Sequence, residues 1–237
     1  MSSLDDTLQA NVRNVLGRID DAARRAGRPA GSIALLAVSK TFDAAAVVAA
    51  ARCGLRSFGE NYAQEADAKI DAVAAIDPAL AAQLRWHFIG PLQSNKTRRI
   101  AERFDWVQSV DRLSLARRLS EQRPPGRPPL DVLLQVNVSG EATKRGVAPA
   151  EAGALAREVA ALPGLRLRGL MAIPAPEADP QRERAAFRAM RGLYDELRAG
   201  GLALDTLSMG MSADLDVAIA EGATMVRVGT AIFGERK

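Results

Sequence analysis

Lys40 is the residue of this chain best placed to do chemistry. It follows six consecutive apolar residues, Ile33 to Val38, and a serine. A strand buried on both faces would therefore end with an amine just past the core. Partial burial disfavours the ammonium form and frees a lone pair for attack on a carbonyl, the chemistry of a Schiff-base lysine. The alternative is a lysine whose stem packs while its ammonium reaches water. Only five of the 32 basic residues are lysines (Lys40, Lys69, Lys96, Lys144 and Lys237), so a lysine ending an apolar strand is less easily incidental.

Two later turns have the composition of an anion site. Ser208-Met209-Gly210-Met211-Ser212 joins a hydroxyl, a glycine and a helix start, and Gly229-Thr230 offers a second bare amide with another hydroxyl. Exposed backbone N–H groups and a helix N-terminus suit a phosphate dianion. Ordinary strand-to-helix turns with an N-cap would read the same way. Arg227 breaks the apolar run Met225 to Val228, and an uncompensated buried charge costs several kcal/mol. Its guanidinium must reach either a ligand or a carboxylate between sheet and helix.

The elements that must hold these residues alternate along the chain. A leading helix over residues 4–26 shows Leu8, Val12, Val15, Leu16, Ile19 and Ala22 at helical spacing. Apolar strands are expected at 33–39, 57–61, 85–90, 106–110, 131–137, 167–173, 206–210 and 225–229. Helices are expected between them: 44–53 capped by Asp43, 62–76, 94–103, 112–122 capped by Asp111, 149–162, 180–198 and 213–221 capped by Ser212. Eight strand–helix units predict an α/β fold, a (β/α)8 TIM barrel over residues 1–237 as a single domain with an extra N-terminal helix. A doubly wound sheet is the alternative, and no G-x-G-x-x-G follows a strand.

Composition bounds the class. Hydrophobic residues make up 48% and charged residues 25%, which is ordinary for a soluble domain. One cysteine, Cys53, and one histidine, His87, exclude an intrachain disulfide and the common zinc patterns. The polar start and the lack of a long apolar run predict a cytoplasmic protein without a membrane partner. The net charge of +4 is spread over helical faces, and 4% aromatics leave little for base stacking, so no nucleic acid is expected. His87 within Trp86-His87-Phe88 reads as core or as a barrel-interior residue near a ligand. Cys53 reads as helix packing.

In a barrel, strand 8 pairs with strand 1, so an amine at Lys40 and an anion cup after strands 7 and 8 become neighbours. A ligand with an aldehyde and a phosphate fits both ends, and pyridoxal 5′-phosphate is such a ligand. The segments AVSKT (37–41), FGENY (58–62), WHFIGPLQSNK (86–96), QVNVSGE (135–141), GLMAI (169–173), LSMGMSADLDVAI (207–219) and VRVGTAIFG (226–234) carry a resemblance. In them the chain resembles the pyridoxal phosphate homeostasis protein family, single-domain relatives of the alanine-racemase barrel. The resemblance implies pyridoxal 5′-phosphate held as a Schiff base on Lys40. It further implies that Ser208, Met209, Gly210, Gly229 and Thr230 hold the phosphate. It sets Arg227 against the pyridine nitrogen and Asn61 beside the ring.

The resemblance also implies buffering of the free cofactor; apo-enzymes as acceptors and a monomeric chain are expected alongside it. A permanent cation at the pyridine nitrogen opposes its protonation, which disfavours transaminase and decarboxylase chemistry, whereas the resemblance implies that racemases of the related barrel tolerate the arginine. An amino-acid racemase is the alternative, and it needs a second base. Tyr62 and Tyr194 are the only tyrosines, expected at a helix start and on a helix face, and no second domain is expected after residue 230. A phosphate-binding barrel without a covalent link is the third reading. Lys144, in the loop after strand 5, is expected at the same end as the site.

Overall fold

The computed structural model describes residues 3–141, 144–174 and 179–235. Eight parallel strands close into one barrel in sequence order. They are β1 (Ala34–Val38), β2 (Ser57–Glu60), β3 (Arg85–Phe88), β4 (Trp106–Val110), β5 (Leu130–Gln135), β6 (Leu165–Met171), β7 (Thr206–Ser208) and β8 (Met225–Val228). The helices outside are α1 (Ser3–Arg25), α2 (Ala44–Arg52), α3 (Ala63–Ile76), α4 (Pro78–Ala81), α5 (Thr97–Arg103), α6 (Leu113–Gln122), α7 (Pro149–Ala160), α8 (Pro180–Ala199), α9 (Leu215–Ala220) and α10 (Thr230–Phe233). The expected (β/α)8 barrel with its extra leading helix is therefore present, and α1 packs on α9 and α10.

Most strands are buried on both faces, which is why they read as unbroken apolar runs. Registered neighbours in a parallel pair point to the same side. Leu36 pairs with Arg227, and Gly59 pairs with His87. The Leu36 side chain packs against Gly59 Cα, where a Cβ would meet it at 3.3 Å. These four positions thus share the inner face, and their neighbours Ala37, Phe58 and Val228 face the helices.

The amino-terminal rim of the barrel is closed by charge. Arg166 and Arg168 pair with Asp131, Arg168 also pairs with Asp205, and its guanidinium lies 4.8 Å above the Trp106 ring. The opposite rim, where the strands end, is the functional end of such barrels.

Three local expectations are corrected. Ser212 does not cap a helix at 213: residues 212–214 form a turn, and the Asp214 carboxylate takes the Met211 N–H, so α9 starts at Leu215. Asp111 pairs with the neighbouring Arg112, leaving the start of α6 without a side-chain cap. The helix expected over 62–76 does end there, at Ile76, but Asp77-Pro78 then starts a further short helix, α4, because the Asp77 carboxylate accepts from Leu80 N–H and Pro78 takes a first-turn position. Asp43 does cap α2, accepting from Ala46 N–H at 2.8 Å.

Candidate functional site

A cavity of about 320 Å³ opens at the carboxyl ends of the strands. Val38 and Lys40 reach it from β1, Asn61 from β2, Ile89 from β3 and Arg227 from β8. Ile173, Met211, Ser212 and Ala213 form the far wall, and Gly229, Thr230 and Gly234 complete it with Phe42. Phe42 stacks on Phe233 at 4.9 Å, which seats α10 beside the opening.

Lys40 stands two residues beyond the end of β1 in a tight turn. Thr41, next to it, has φ +71°, a left-handed conformation rare outside glycine. Asn61 stands immediately after β2. Its Oδ1 is buried and lacks a hydrogen-bond partner, so one polar atom of the wall is available to a ligand. Gly90 permits this placement: a Cβ there would lie 2.0 Å from the Asn61 carbonyl oxygen.

Arg227 is 4% exposed and forms no ion pair among the described residues. One of its amino groups donates to Ser208 Oγ at 2.8 Å and the other to the Ala172 carbonyl at 2.8 Å. Burial lowers its pKa to about 10, and Asp214 opposes that shift, so it stays charged at neutral pH. Of the protein partners weighed for Arg227, a carboxylate is not the one that fixes it: two neutral oxygens do.

Those oxygens belong to a chain of bonds across the barrel interior. Ser208 Oγ donates to Gln108 Oε1 at 2.7 Å, and Gln108 Nε2 donates to His87 Nδ1 at 3.1 Å. Burial drives the His87 pKa down to about 3, so the ring is neutral and Nδ1 can accept. The ring stacks on Trp106 at 5.1 Å. Each donor in the chain needs the acceptor ahead of it, so the direction is fixed from Arg227 to His87. Gln108 was not foreseen in this role, although a glutamine within the apolar strand Trp106-Val107-Gln108-Ser109-Val110 is the same kind of anomaly as Arg227.

Ser208 and Met209 are fully buried and do not line the cavity. The Ser208 hydroxyl engages Arg227 and Gln108, and Met209 N–H is taken by the Met225 carbonyl. Gly210 also lies behind the wall, at φ +93°, where a Cβ would approach Ala218 Cβ to 2.6 Å. The segment that reaches the cavity is the one after it, Met211 to Ala213. Arg18 of α1 grips this segment from outside, donating to the Ser212 carbonyl at 2.6 Å and the Ala213 carbonyl at 3.4 Å. In a trans peptide the N–H opposes the C=O, so the following amides point away from Arg18. Gly229 and Thr230 line the cavity as expected.

The other singled-out residues lie elsewhere. Tyr62 is 57% exposed at the start of α3, and Tyr194 is buried in α8 with its hydroxyl donating to the Leu204 carbonyl. Cys53 ends α2. Lys144 pairs with Glu141. Among the described residues no group of His, Cys, Asp and Glu could hold a metal ion, and no helix is long and apolar enough to cross a membrane.

A closed parallel barrel with a lysine after β1 and an arginine within β8, both on one mouth cavity, belongs to the alanine-racemase barrel class. The family model described as "Alanine racemase, N-terminal domain" matches residues 9–237. Alanine racemase from Corynebacterium glutamicum shares the fold at TM-score 0.68 and 18% identity, over 98% of this chain and 61% of that one. The chain is also 59% identical over 230 residues to the pyridoxal phosphate homeostasis protein of Pseudomonas aeruginosa, covering 97% of this chain and 96% of the relative. It is 51% identical over 226 residues to that of Escherichia coli K12, covering 95% of each. The chain belongs to the pyridoxal phosphate homeostasis protein family. Among solved structures it superposes on PipY of Synechococcus elongatus with PLP bound, at TM-score 0.76 and 39% identity over 91% of this chain and 100% of that one.

Proposed function

We propose that this chain binds pyridoxal 5′-phosphate at the barrel mouth, holds it covalently through Lys40 Nζ, and buffers and delivers it to apo-enzymes in the cytoplasm. The observation that carries this reading is the shared wall: an amine, a permanent cation and an orphaned amide oxygen meet in one cavity. Its volume lies at the small end of the range for small-molecule sites, about 300–1,000 Å³. When bound, the cofactor would supply an aldehyde, the electrophile that a lysine amine can engage covalently.

The residues of this chain do the rest. Lys40 supplies the amine. Arg227, held by Ser208 and Ala172, supplies a fixed positive charge and N–H donors at the cavity wall. Asn61 offers its unpartnered amide oxygen. The amides around Ser212, Ala213, Gly229 and Thr230 are the proposed phosphate cup, with Ser208, Met209 and Gly210 shaping it from behind. The helices beginning there span six and four residues, so local N–H groups rather than long helix dipoles carry the anion. Arg227 stays protonated and would oppose protonation of a cofactor ring nitrogen set against it, which disfavours transaminase and decarboxylase chemistry. A two-base racemisation would need a second base at the cavity, and neither Tyr62 nor Tyr194 lines it.

Borohydride reduction followed by peptide mapping tests this reading. Incubation with pyridoxal 5′-phosphate should yield a reduced adduct on Lys40 that Lys40→Ala lacks. An adduct elsewhere, or none, rejects it. Loaded protein mixed with single enantiomers of amino acids should leave them optically pure; turnover at about 1 s⁻¹ or faster would make the protein a racemase.

A further inference from the structure

Behind the Lys40 turn, between the barrel wall and α3, lies a buried cluster that the cavity does not use. Lys69 of α3 is 6% exposed, and its Nζ donates to three oxygens: Glu60 Oε1 at 2.7 Å, the Ser39 carbonyl at 2.8 Å and Glu65 Oε1 at 3.0 Å. Ser39 Oγ donates to the same Glu60 oxygen at 2.6 Å. Glu60 is fully buried, its second oxygen has no partner, and burial pushes its pKa up while Lys69 opposes the shift.

Such a cluster is a poor way to gain stability. Desolvating an ion pair offsets much of its attraction, and apolar side chains of the same volume often serve as well. Its position offers another reason. Side chains alternate across a strand, so the residue before an inward one points outward. Ser39 precedes Lys40 and Glu60 precedes Asn61. The cluster therefore holds the outward residues at the two strand ends whose next residues enter the cavity.

The hydrogen bonds bracket Lys40 itself. Lys69 holds the carbonyl of Ser39, on one side of it. Glu65 Oε1 accepts from the N–H of Thr41, on the other, at 2.7 Å. The Ser39 carbonyl also accepts from Phe42 N–H at 3.1 Å, which closes a four-residue turn with Thr41 in its third position at φ +71°. That position in type II turns is ordinarily taken by glycine. A threonine persists there only where the surroundings over-determine the backbone.

We propose that Lys69 and Glu65 form a clamp that positions Lys40: from behind the wall they fix the peptide groups on both sides of it and so aim its amine into the cavity. The proposal deepens the reading of Lys40 as the covalent anchor and rests on it. Lys69 and Glu65 are positioning residues, since neither lines the cavity.

Two ligands separate aim from binding. Pyridoxine 5′-phosphate keeps the ring and the phosphate but lacks the aldehyde, so its affinity reports the pocket alone. The rate at which pyridoxal 5′-phosphate forms a borohydride-reducible adduct also reports the placement of the amine. Glu65→Ala and Lys69→Met should slow adduct formation about 10- to 100-fold while pyridoxine 5′-phosphate affinity stays within about twofold. Unchanged adduct rates overturn the proposal, and so does a parallel loss of both ligands, which would mean general loosening. If Lys69→Met, which strands the Glu60 carboxylate, does not fold, Glu65→Ala at a half-exposed site decides alone. Should the wild-type protein form no reducible adduct, the reading of Lys40 falls and takes the clamp with it. That failure is told apart by appearing before any substitution.

Discussion

Acidification should destabilise this protein through His87 in a way one substitution removes. The ring is neutral when folded because burial holds its pKa at about 3, against about 6.5 in an unfolded chain. Between those values the unfolded state binds the extra proton, so stability rises with pH across the window and is lost as pH falls through it. His87 contributes nothing to the pH dependence above about pH 7. At pH 5 the proton taken up on unfolding costs the native state about 2 kcal/mol, and below pH 3 the loss levels off near 5 kcal/mol. A protonated ring would also turn Nδ1 from acceptor to donor, facing the amide N–H of Gln108, and so break the chain of bonds that ends on Arg227. The assay is urea unfolding followed by circular dichroism at pH 8, 6 and 5 for the wild type and His87→Gln. The variant starts less stable, having lost the stacking on Trp106, but its amide oxygen can still accept from Gln108. Wild type should lose about 2 kcal/mol more than the variant between pH 8 and pH 5. Parallel curves would refute the assignment of a neutral buried histidine.

Gly210→Ala should cost about 2–5 kcal/mol in urea unfolding, because φ +93° and a Cβ 2.6 Å from Ala218 Cβ combine backbone strain with overpacking. Gly126→Ala, at φ +87° with open space around it, should cost only the backbone part, about 1–2 kcal/mol, and equal losses would show that packing at Gly210 is irrelevant. Arg18→Met should weaken inorganic phosphate binding about tenfold by calorimetry, a loss of about 1.4 kcal/mol, since it frees the Ser212 and Ala213 carbonyls. Unchanged phosphate affinity would remove that segment from the proposed cup.

The architecture was legible because parallel strands sandwiched between core and helices must be apolar throughout, so each stands out between its turn residues. Lys40 and Arg227 were legible for the converse reason: a charge ending or interrupting such a run demands an explanation. Cap positions read less well. Ser212 and Asp111 have the right side chains at the right distance from an apolar run, but the Asp214 carboxylate shapes the turn before α9 by accepting from Met211 N–H, and Arg112 engages the Asp111 carboxylate. Which of two adjacent polar residues wins is decided by tertiary geometry that no local pattern encodes. The same limit hid the true acceptors of Arg227. The Ser208 hydroxyl that accepts from Arg227 itself donates to a glutamine 100 residues away in sequence, a contact that no local pattern encodes. The clamp behind Lys40 was hidden as well, since nothing local to Lys69 shows that Ser39, Glu60 and Glu65 converge on its amine.

Arg227 has one more consequence. Its charge is held by a hydroxyl and a carbonyl, with the Asp214 carboxylate acting on it without a direct ion pair, so under the proposed reading the mouth of the barrel would attract small multivalent anions. Purification in phosphate or sulfate would then titrate the site before any cofactor is added, and the apparent affinity would follow the choice of buffer and the ionic strength. In a cell the same well would collect whichever phosphorylated metabolite is abundant. Discrimination would fall to the neighbouring amine, which only a carbonyl compound can engage.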